Sequence, residues 1–240
     1  MKGFILAAGL GSRLKPWTDH HPKALVEVGG VPMLERVIRK MHANGIFDIT
    51  VNTFHFADQV TDFINAKGWK INISDERPTL LETGGGLLKA AHFLKGDEPI
   101  LVHNVDTLSN ADFGNLEKFH LDNNSDITLL VSDRSSSRKL VFSPQKQLRG
   151  WQSTVDGSYR PDSFIPKSDD ICLAFSGIYV ISPALISEMA REGWHGKFSI
   201  IDYLLSTVDN KRYFGFEQTG LELLDIGKPD SLNRANQFIK

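Results

Sequence analysis

An apolar run at residues 4–8 breaks directly into Gly9-Leu10-Gly11-Ser12-Arg13. A short strand that ends on two glycines, this early in a chain, constrains the fold more than any other feature. In α/β proteins such a turn sits at the carboxyl end of a strand, where ligands bind. The glycines let the backbone pass close to a ligand and turn its N–H groups toward phosphate oxygens. Arg13 adds a forked, charge-assisted contact suited to a triphosphate. Taken alone, the same string serves equally well as a tight turn with a surface arginine.

Two better-known phosphate loops are excluded. No GxxxxGK followed by Ser or Thr occurs. A dinucleotide-binding fingerprint needs a third glycine where Leu14 stands, and an acidic residue after the second strand, where Asn52-Thr53 stands.

Strand and helix patterns alternate through the first half. Residues 31–43 place Met33, Leu34, Val37, Ile38 and Met41 at helical spacing, and residues 57–66 do the same with Val60, Phe63 and Ile64. Strands are predicted at 4–8, 49–51, 71–73 and 100–103. This alternation implies a mostly parallel sheet covered by helices. The second half reads as strands at 127–131, 140–142, 148–151, 174–181 and 213–217, with helices at 183–190, 199–206 and 230–239. Residues 156–170, rich in Ser, Pro and Asp, read as a long loop over a binding face or a disordered excursion. The expected architecture is one α/β domain over 1–240, with a nucleotide-binding half at about 1–130 and a sugar-phosphate-binding half at about 131–240.

The 240 residues carry a formal net charge of −2, so the basic excess typical of nucleic-acid or membrane-surface binding is missing. The single cysteine, Cys172, cannot form an intramolecular disulfide. No secretory signal and no transmembrane span are expected, and a cytoplasmic location follows. His20 and His21 lack zinc-ligand spacing and read as loop surface. A homo-oligomer is among the assemblies the sequence allows.

The stretch Ile5-Leu-Ala-Ala-Gly-Leu-Gly-Ser-Arg-Leu-Lys-Pro-Trp-Thr18, followed by His21-Pro-Lys-Ala-Leu-Val-Glu-Val-Gly-Gly-Val-Pro-Met-Leu34, resembles the signature of sugar-1-phosphate nucleotidyltransferases. The resemblance implies a GT-A-like, Rossmann-related fold with a mixed, mostly parallel sheet. It implies transfer of a nucleoside monophosphate from an NTP to a sugar 1-phosphate, with release of pyrophosphate. The glycine loop and its arginine then hold the triphosphate through Leu6, Ala8, Gly9, Gly11, Ser12 and Arg13. Lys23, otherwise a surface lysine stiffened by Pro22, contacts the reacting phosphates.

Further strings extend the likeness. Glu82-Thr83-Gly84-Gly85-Gly86 opens a predicted helix, with Thr83 as the expected N-cap and the glycines as a close approach for a flat base. In this triple-glycine form it looks most like N-acetylmuramate 1-phosphate uridylyltransferases. Asn104-Val105-Asp106 and Leu224-Asp225-Ile226-Gly227 match the two metal-binding positions of the family, which implies Mg2+ held by Asp106 and Asp225. On the sugar side the resemblance implies Asn104, Gly177 and Lys197.

Departures are as informative. A Glu-Lys-Pro motif before the sugar strand is replaced by Arg149-Gly150-Trp151-Gln152, so Arg138, Lys139 and Lys197 become the candidate cations for the sugar partner. Lys228 stands where a threonine is common, and no C-terminal regulatory or acyltransferase domain is expected. UTP with N-acetylmuramate 1-phosphate is the favoured pair. Mannose 1-phosphate guanylyl-, glucose 1-phosphate thymidylyl- and phosphocholine cytidylyltransferases remain open. So do a GT-A glycosyltransferase, which Arg13 and its glycine loop argue against, and a nucleotide-sensing subunit, which would be expected to lack Lys23, Asp106 or Asp225.

Overall fold

The computed structural model describes residues 1–227 together with Ser231, Arg234 and Ala235. In chain order its elements begin with β1 (Lys2–Leu6), β2 (Glu27–Val28), β3 (Val31–Pro32), α1 (Met33–Ala43), β4 (Ile49–Thr53), α2 (Ala57–Ala66) and β5 (Asn72–Asp75). There follow α3 (Glu82–Lys89), β6 (Ile100–Asn104), β7 (Thr107–Ser109), α4 (Phe113–Asp122), β8 (Ile127–Ser132), β9 (Arg138–Phe142), β10 (Leu148–Ser153) and β11 (Tyr159–Arg160). The described chain closes with β12 (Ile171–Ile181), α5 (Pro183–Arg191), α6 (Ile200–Thr207), β13 (Tyr213–Glu217) and β14 (Leu223–Asp225). Lys228 and most of the helix expected at 230–239 lie outside the described residues.

One ten-stranded mixed sheet carries the fold, in the order β11-β10-β9-β12-β6-β1-β4-β5, with β8 joining β12 to β13. β6, β1, β4 and β5 run parallel, as the strand–helix alternation requires. β12 then reverses direction and pairs with β6, β8 and β9.

Side chains alternate across this sheet. Phe4, Ile100 and Val102 face α3, α5 and α6, where Leu87, Leu185, Ile186, Met189, Ile200, Tyr203 and Leu204 complete the core. Ile5, Val51 and Leu101 face α1, α2 and α4, through Leu34, Val37, Ile38, Met41, Val60, Ile64, Phe113 and Leu116. Full burial of each such side chain is worth roughly 1.5–3 kcal/mol.

Three features depart from the pattern reading. β1 ends at Leu6, not residue 8, because the Ala7 and Ala8 N–H groups turn to the Asn52 side chain. Helix α4 is absent from the sequence reading. Its apolar stripe is thin (Phe113, Leu116 and a buried His120), and only the Asp112 side chain, accepting from the Asn115 N–H, marks its start. Residues 156–170 form a loop that contains one short strand and packs on the sheet. β11 pairs with β10, and the Phe164 ring fits against Gly150, where a Cβ would lie 2.8 Å from it.

Candidate functional site

The parallel register decides where the site lies. Leu6 pairs with Asn52 on one side and with Asn104 on the other, so three strand ends form one row at the carboxyl edge of the sheet. All three line a cleft of about 370 Å³, together with Ala8, Gly9, Lys23, Glu82, Thr83, Asp106 and Ser199. Ligands bind at this edge in open α/β sheets.

The glycine loop leaves the row over Gly9 and turns at Gly11, whose φ of +65° is strained for any residue with a side chain. A Cβ at Gly11 would lie 2.8 Å from Thr18 Cγ2 and 3.0 Å from Lys23 Cβ. The Thr18 hydroxyl donates to the Gly11 carbonyl at 3.0 Å. Bare backbone at Gly11 therefore lets the Lys23 stem pass beneath the loop and reach the cleft, where its ammonium pairs with Asp106. Ser12 and Arg13 begin a short 3-10 turn beyond the loop.

Asp106 and Asp225 meet on a small two-stranded ribbon. β7 pairs with β14, Asp225 stands opposite Thr107, and the Ile226 N–H donates to the Asp106 carbonyl at 2.9 Å. Lys40, on α1, secures β7 by donating to the Ser109 carbonyl at 2.6 Å, and burial lowers its pKa to about 8. Asp225 Oδ1 accepts from the Gly227 N–H at 2.6 Å. A Cβ at Gly227 would meet both Arg13 Nη2, at 2.6 Å, and Asp225 Oδ1, at 2.8 Å. Lys23 and Asp106 thus line the cleft, while Arg13 and Asp225 lie together at the adjoining turn at Gly227. Among the described residues no group of three or more His, Cys, Asp or Glu could hold a metal. The donor set is two hard carboxylates, with a lysine ammonium as counter-cation to one, and it suits a cation whose remaining oxygens come from substrate and water.

The Glu82–Gly86 segment does open a helix, but not as the sequence implied. α3 starts at Glu82, whose φ is +61°, and Thr83 does not cap it. The Thr83 hydroxyl instead accepts from the Ile200 N–H at 2.9 Å. The space where a side chain would begin at Gly84 and Gly85 is filled by the protein itself. A Cβ at Gly84 would lie 2.3 Å from the Phe198 ring, and one at Gly85 would lie 2.0 Å from the Gly196 carbonyl. These two glycines allow α3 to seat against residues 196–200, which in turn bring Ser199 to the cleft.

Gly177 is packed beside Asn104. It lies in the β12 bulge with φ +79°, and a Cβ there would come 2.4 Å from Asn104 Nδ2. Gly177 makes room for Asn104, and Asn104 is the residue that faces the cleft. Lys197 pairs with Glu82 at 3.3 Å and Lys139 with Asp133 at 3.0 Å. Arg149 is held by Asp170, over the Phe164 ring. Among the candidate cations, the Arg138 guanidinium alone has no ion pair or hydrogen bond to a described residue.

Sequence reasoning missed Asn52 and Glu76. Asn52 Oδ1 accepts from Ala7 and Ala8, and Asn52 Nδ2 donates to Glu76 Oε1. Glu76 Oε2 accepts from the Leu81 N–H, and burial raises the Glu76 pKa. Asn52 is the penultimate residue of β4, and only the pairing of β4 with β1 brings it beside the glycine loop.

The sequence profile of the nucleotidyl transferase family matches residues 2–240. An N-acetylmuramate alpha-1-phosphate uridylyltransferase from Neisseria meningitidis serogroup B is 31% identical over 239 residues, covering 98% of this chain and 96% of that protein. Its namesake from Caulobacter vibrioides is 29% identical over 239 residues, covering 95% and 92%. HddC from Yersinia pseudotuberculosis, solved in complex with GMP-PN, shares the fold at a TM-score of 0.78 and 23% identity, covering 100% of this chain and 99% of that one. A profile that runs the length of the chain agrees with relatives that align almost end to end, and the chain belongs to the nucleotidyl transferase family.

Proposed function

We propose that this protein transfers UMP from UTP to N-acetylmuramate 1-phosphate, releasing pyrophosphate and forming a UDP-sugar for cell-wall synthesis in the cytoplasm. The observation that carries the reading is the pairing of Lys23 with Asp106 in a cleft walled by the glycine loop and the start of α3. The near full-length similarity to two uridylyltransferases supports the choice of substrates. Among the described residues no helix is long and apolar enough to cross a membrane.

The chemistry is one in-line displacement. A sugar-phosphate oxygen forms a bond to the α-phosphorus, and the bond to the α–β bridging oxygen breaks. The nucleophile is already an anion, so no general base is needed. Catalysis consists of positioning and charge stabilisation. In this reading residues 1–130 hold the nucleotide and residues 131–240 the sugar phosphate. The backbone of Leu6, Ala8, Gly9, Gly11 and Ser12 cradles the triphosphate, and Arg13 and Lys23 neutralise it. Residues 82–85 border the base and ribose, with Asn104, Gly177 and Lys197 on the sugar side. Asp106 and Asp225 would hold Mg2+, which when bound offsets charge developing on the phosphates.

Pyrophosphate release across four NTPs and several sugar 1-phosphates tests this. UTP with N-acetylmuramate 1-phosphate is expected to be fastest. Some dTTP use is expected, because excluding one methyl group is worth only about 1–3 kcal/mol. Faster turnover of GTP with mannose 1-phosphate would overturn the substrate pair and leave the family intact.

A further inference from the structure

The two walls of the cleft are joined from behind by one chain of hydrogen bonds. It runs from the Ala7 and Ala8 N–H groups, at 2.6 and 3.3 Å, to Asn52 Oδ1. It continues from Asn52 Nδ2 to Glu76 Oε1 at 2.6 Å, and from Glu76 Oε2 to the Leu81 N–H at 2.8 Å. Ala7 and Ala8 root the glycine loop, and Leu81 immediately precedes α3. Both linking side chains are buried, each at 2% exposure. The third glycine of the triple, Gly86, lies against the same link. A Cβ there would come 2.4 Å from Glu76 Oε1 and 2.8 Å from Asn52 Nδ2.

Counting donors and acceptors shows that the identities are dictated. Three backbone N–H groups point inward from two segments, and the two side chains must accept all three while bonding each other. An amide at 52 can accept from Ala7 and Ala8 with its oxygen and then has only N–H left to offer residue 76. Residue 76 must therefore accept on both oxygens, from Asn52 and from Leu81, and only a carboxylate does so. Glutamine at 76 would turn an N–H toward either Leu81 or Asn52. Flipping Asn52 to suit would turn its own N–H groups toward Ala7 and Ala8.

We propose that Asn52 and Glu76 are positioning residues, a polarity-matched strut that sets the spacing between the glycine loop and α3 and thereby the affinity for the nucleotide. The strut touches no reacting atom. It acts on the loop amides that meet the phosphates and on the start of α3 that borders the base. This rests on the reading that the cleft binds an NTP, not on which base it takes.

The polarity of the strut makes it testable by exchange. Asn52→Asp places two acceptors face to face, and Glu76→Gln places two donors face to face. The double variant N52D/E76Q restores the order. Its carboxylate at position 52 accepts from Ala7, from Ala8 and from the new amide N–H at position 76, and the oxygen of that amide accepts from Leu81. Steady-state kinetics at about pH 8 would use whichever NTP the wild type turns over fastest. Each single variant is expected to raise the KM for NTP about tenfold, with kcat within about twofold, as befits a buried hydrogen bond lost in favour of a conflict. The double variant is expected to return KM to within about threefold of wild type.

Amide hydrogen exchange at Ala7, Ala8 and Leu81 gives a readout independent of turnover. Protection should be lost in the single variants and regained in the double. A single variant too unstable to purify, with a folded and active double, supports the strut equally. Wild-type KM in Glu76→Gln, a double variant no better than the worse single, or a double variant that fails to fold overturns it. A wild type that turns over no NTP would sink the functional reading instead, and amide exchange would still decide the strut.

Discussion

The ammonium of Lys23 is ion-paired with the carboxylate of Asp106 across the cleft, although 83 positions separate them in the chain. Their side chains are only 13% and 16% exposed, so little water compensates either charge when its partner is removed. Lys23→Ala and Asp106→Ala should each cost about 1–3 kcal/mol, because the surviving charge is left half-buried and uncompensated. Replacing both should recover most of that loss while turnover stays abolished, since both residues are proposed to act in the reaction. Thermal denaturation of the three variants beside a pyrophosphate-release assay checks this. Singles as stable as wild type would show that the pair carries no structural weight.

Asp225 has a local task separable from its proposed metal-binding one. Its Oδ1 holds the Gly227 N–H, closing the turn that brings Arg13 alongside. Asparagine can make the same turn, because its side-chain oxygen accepts equally well. Asp225→Asn should therefore melt close to wild type, yet lose turnover by roughly a hundredfold and need more Mg2+, since a neutral amide is a weaker ligand for a hard cation. Asp225→Ala should lose turnover and also about 1 kcal/mol of stability with the turn. Full turnover of Asp225→Asn, or of wild type in excess chelator, would remove the metal role.

Two glycines in the site motifs should respond in opposite ways. A Cβ at Gly9 meets nothing within 4 Å, whereas one at Gly85 would lie 2.0 Å from the Gly196 backbone oxygen. Gly9→Ala should fold normally and weaken NTP binding, because the methyl group enters the space the phosphates are proposed to occupy. Gly85→Ala should destabilise the fold by more than about 2 kcal/mol, because backbone must move to admit it. Calorimetric NTP binding and melting temperature separate the two effects. Equal stability in both variants would contradict the packing of α3 on residues 196–200.

The parts of the fold that were legible in the sequence are those where a local rule and the tertiary structure agree. Strand–helix alternation gives the parallel core from β1 to β6, because buried parallel strands are uniformly apolar and their helices strongly amphipathic. The residues proposed for phosphates and metal could be named because their strings resemble the family signature; by itself Lys23 reads as a surface lysine and Asp225 as a turn residue. The misreadings arise where a residue's partner is distant in sequence. Thr83 looks like an N-cap until Ile200 takes its hydroxyl, and nothing in the string around Gly177 shows that Asn104 packs against it. In the sequence, Asn52 is informative only for the acidic residue it replaces. Its role in the strut depends on β1 and β4 being paired in register, which no local window contains.

Two buried imidazoles weaken the fold as pH falls. Burial lowers the pKa of His103 and of His120 from 6.5 to about 4. His103 Nδ1 donates to the Asn104 carbonyl, and His120 bridges the hydroxyls of Thr128 and Ser182, all compatible with neutral rings. In the unfolded chain both rings take up a proton near pH 6.5, while in the folded chain they resist until about pH 4. The unfolded state therefore binds more protons throughout that window, and stability rises with pH across it. The contribution is complete above the unfolded value and is lost as pH falls toward the folded one, up to about 3 kcal/mol for each ring. Urea unfolding should show a clear loss between about pH 7 and about pH 5. His120→Gln, which cannot titrate, should remove roughly half of the histidine part of that loss. An NMR titration that finds either ring protonated near pH 6 in the native protein would refute this account of the pH dependence.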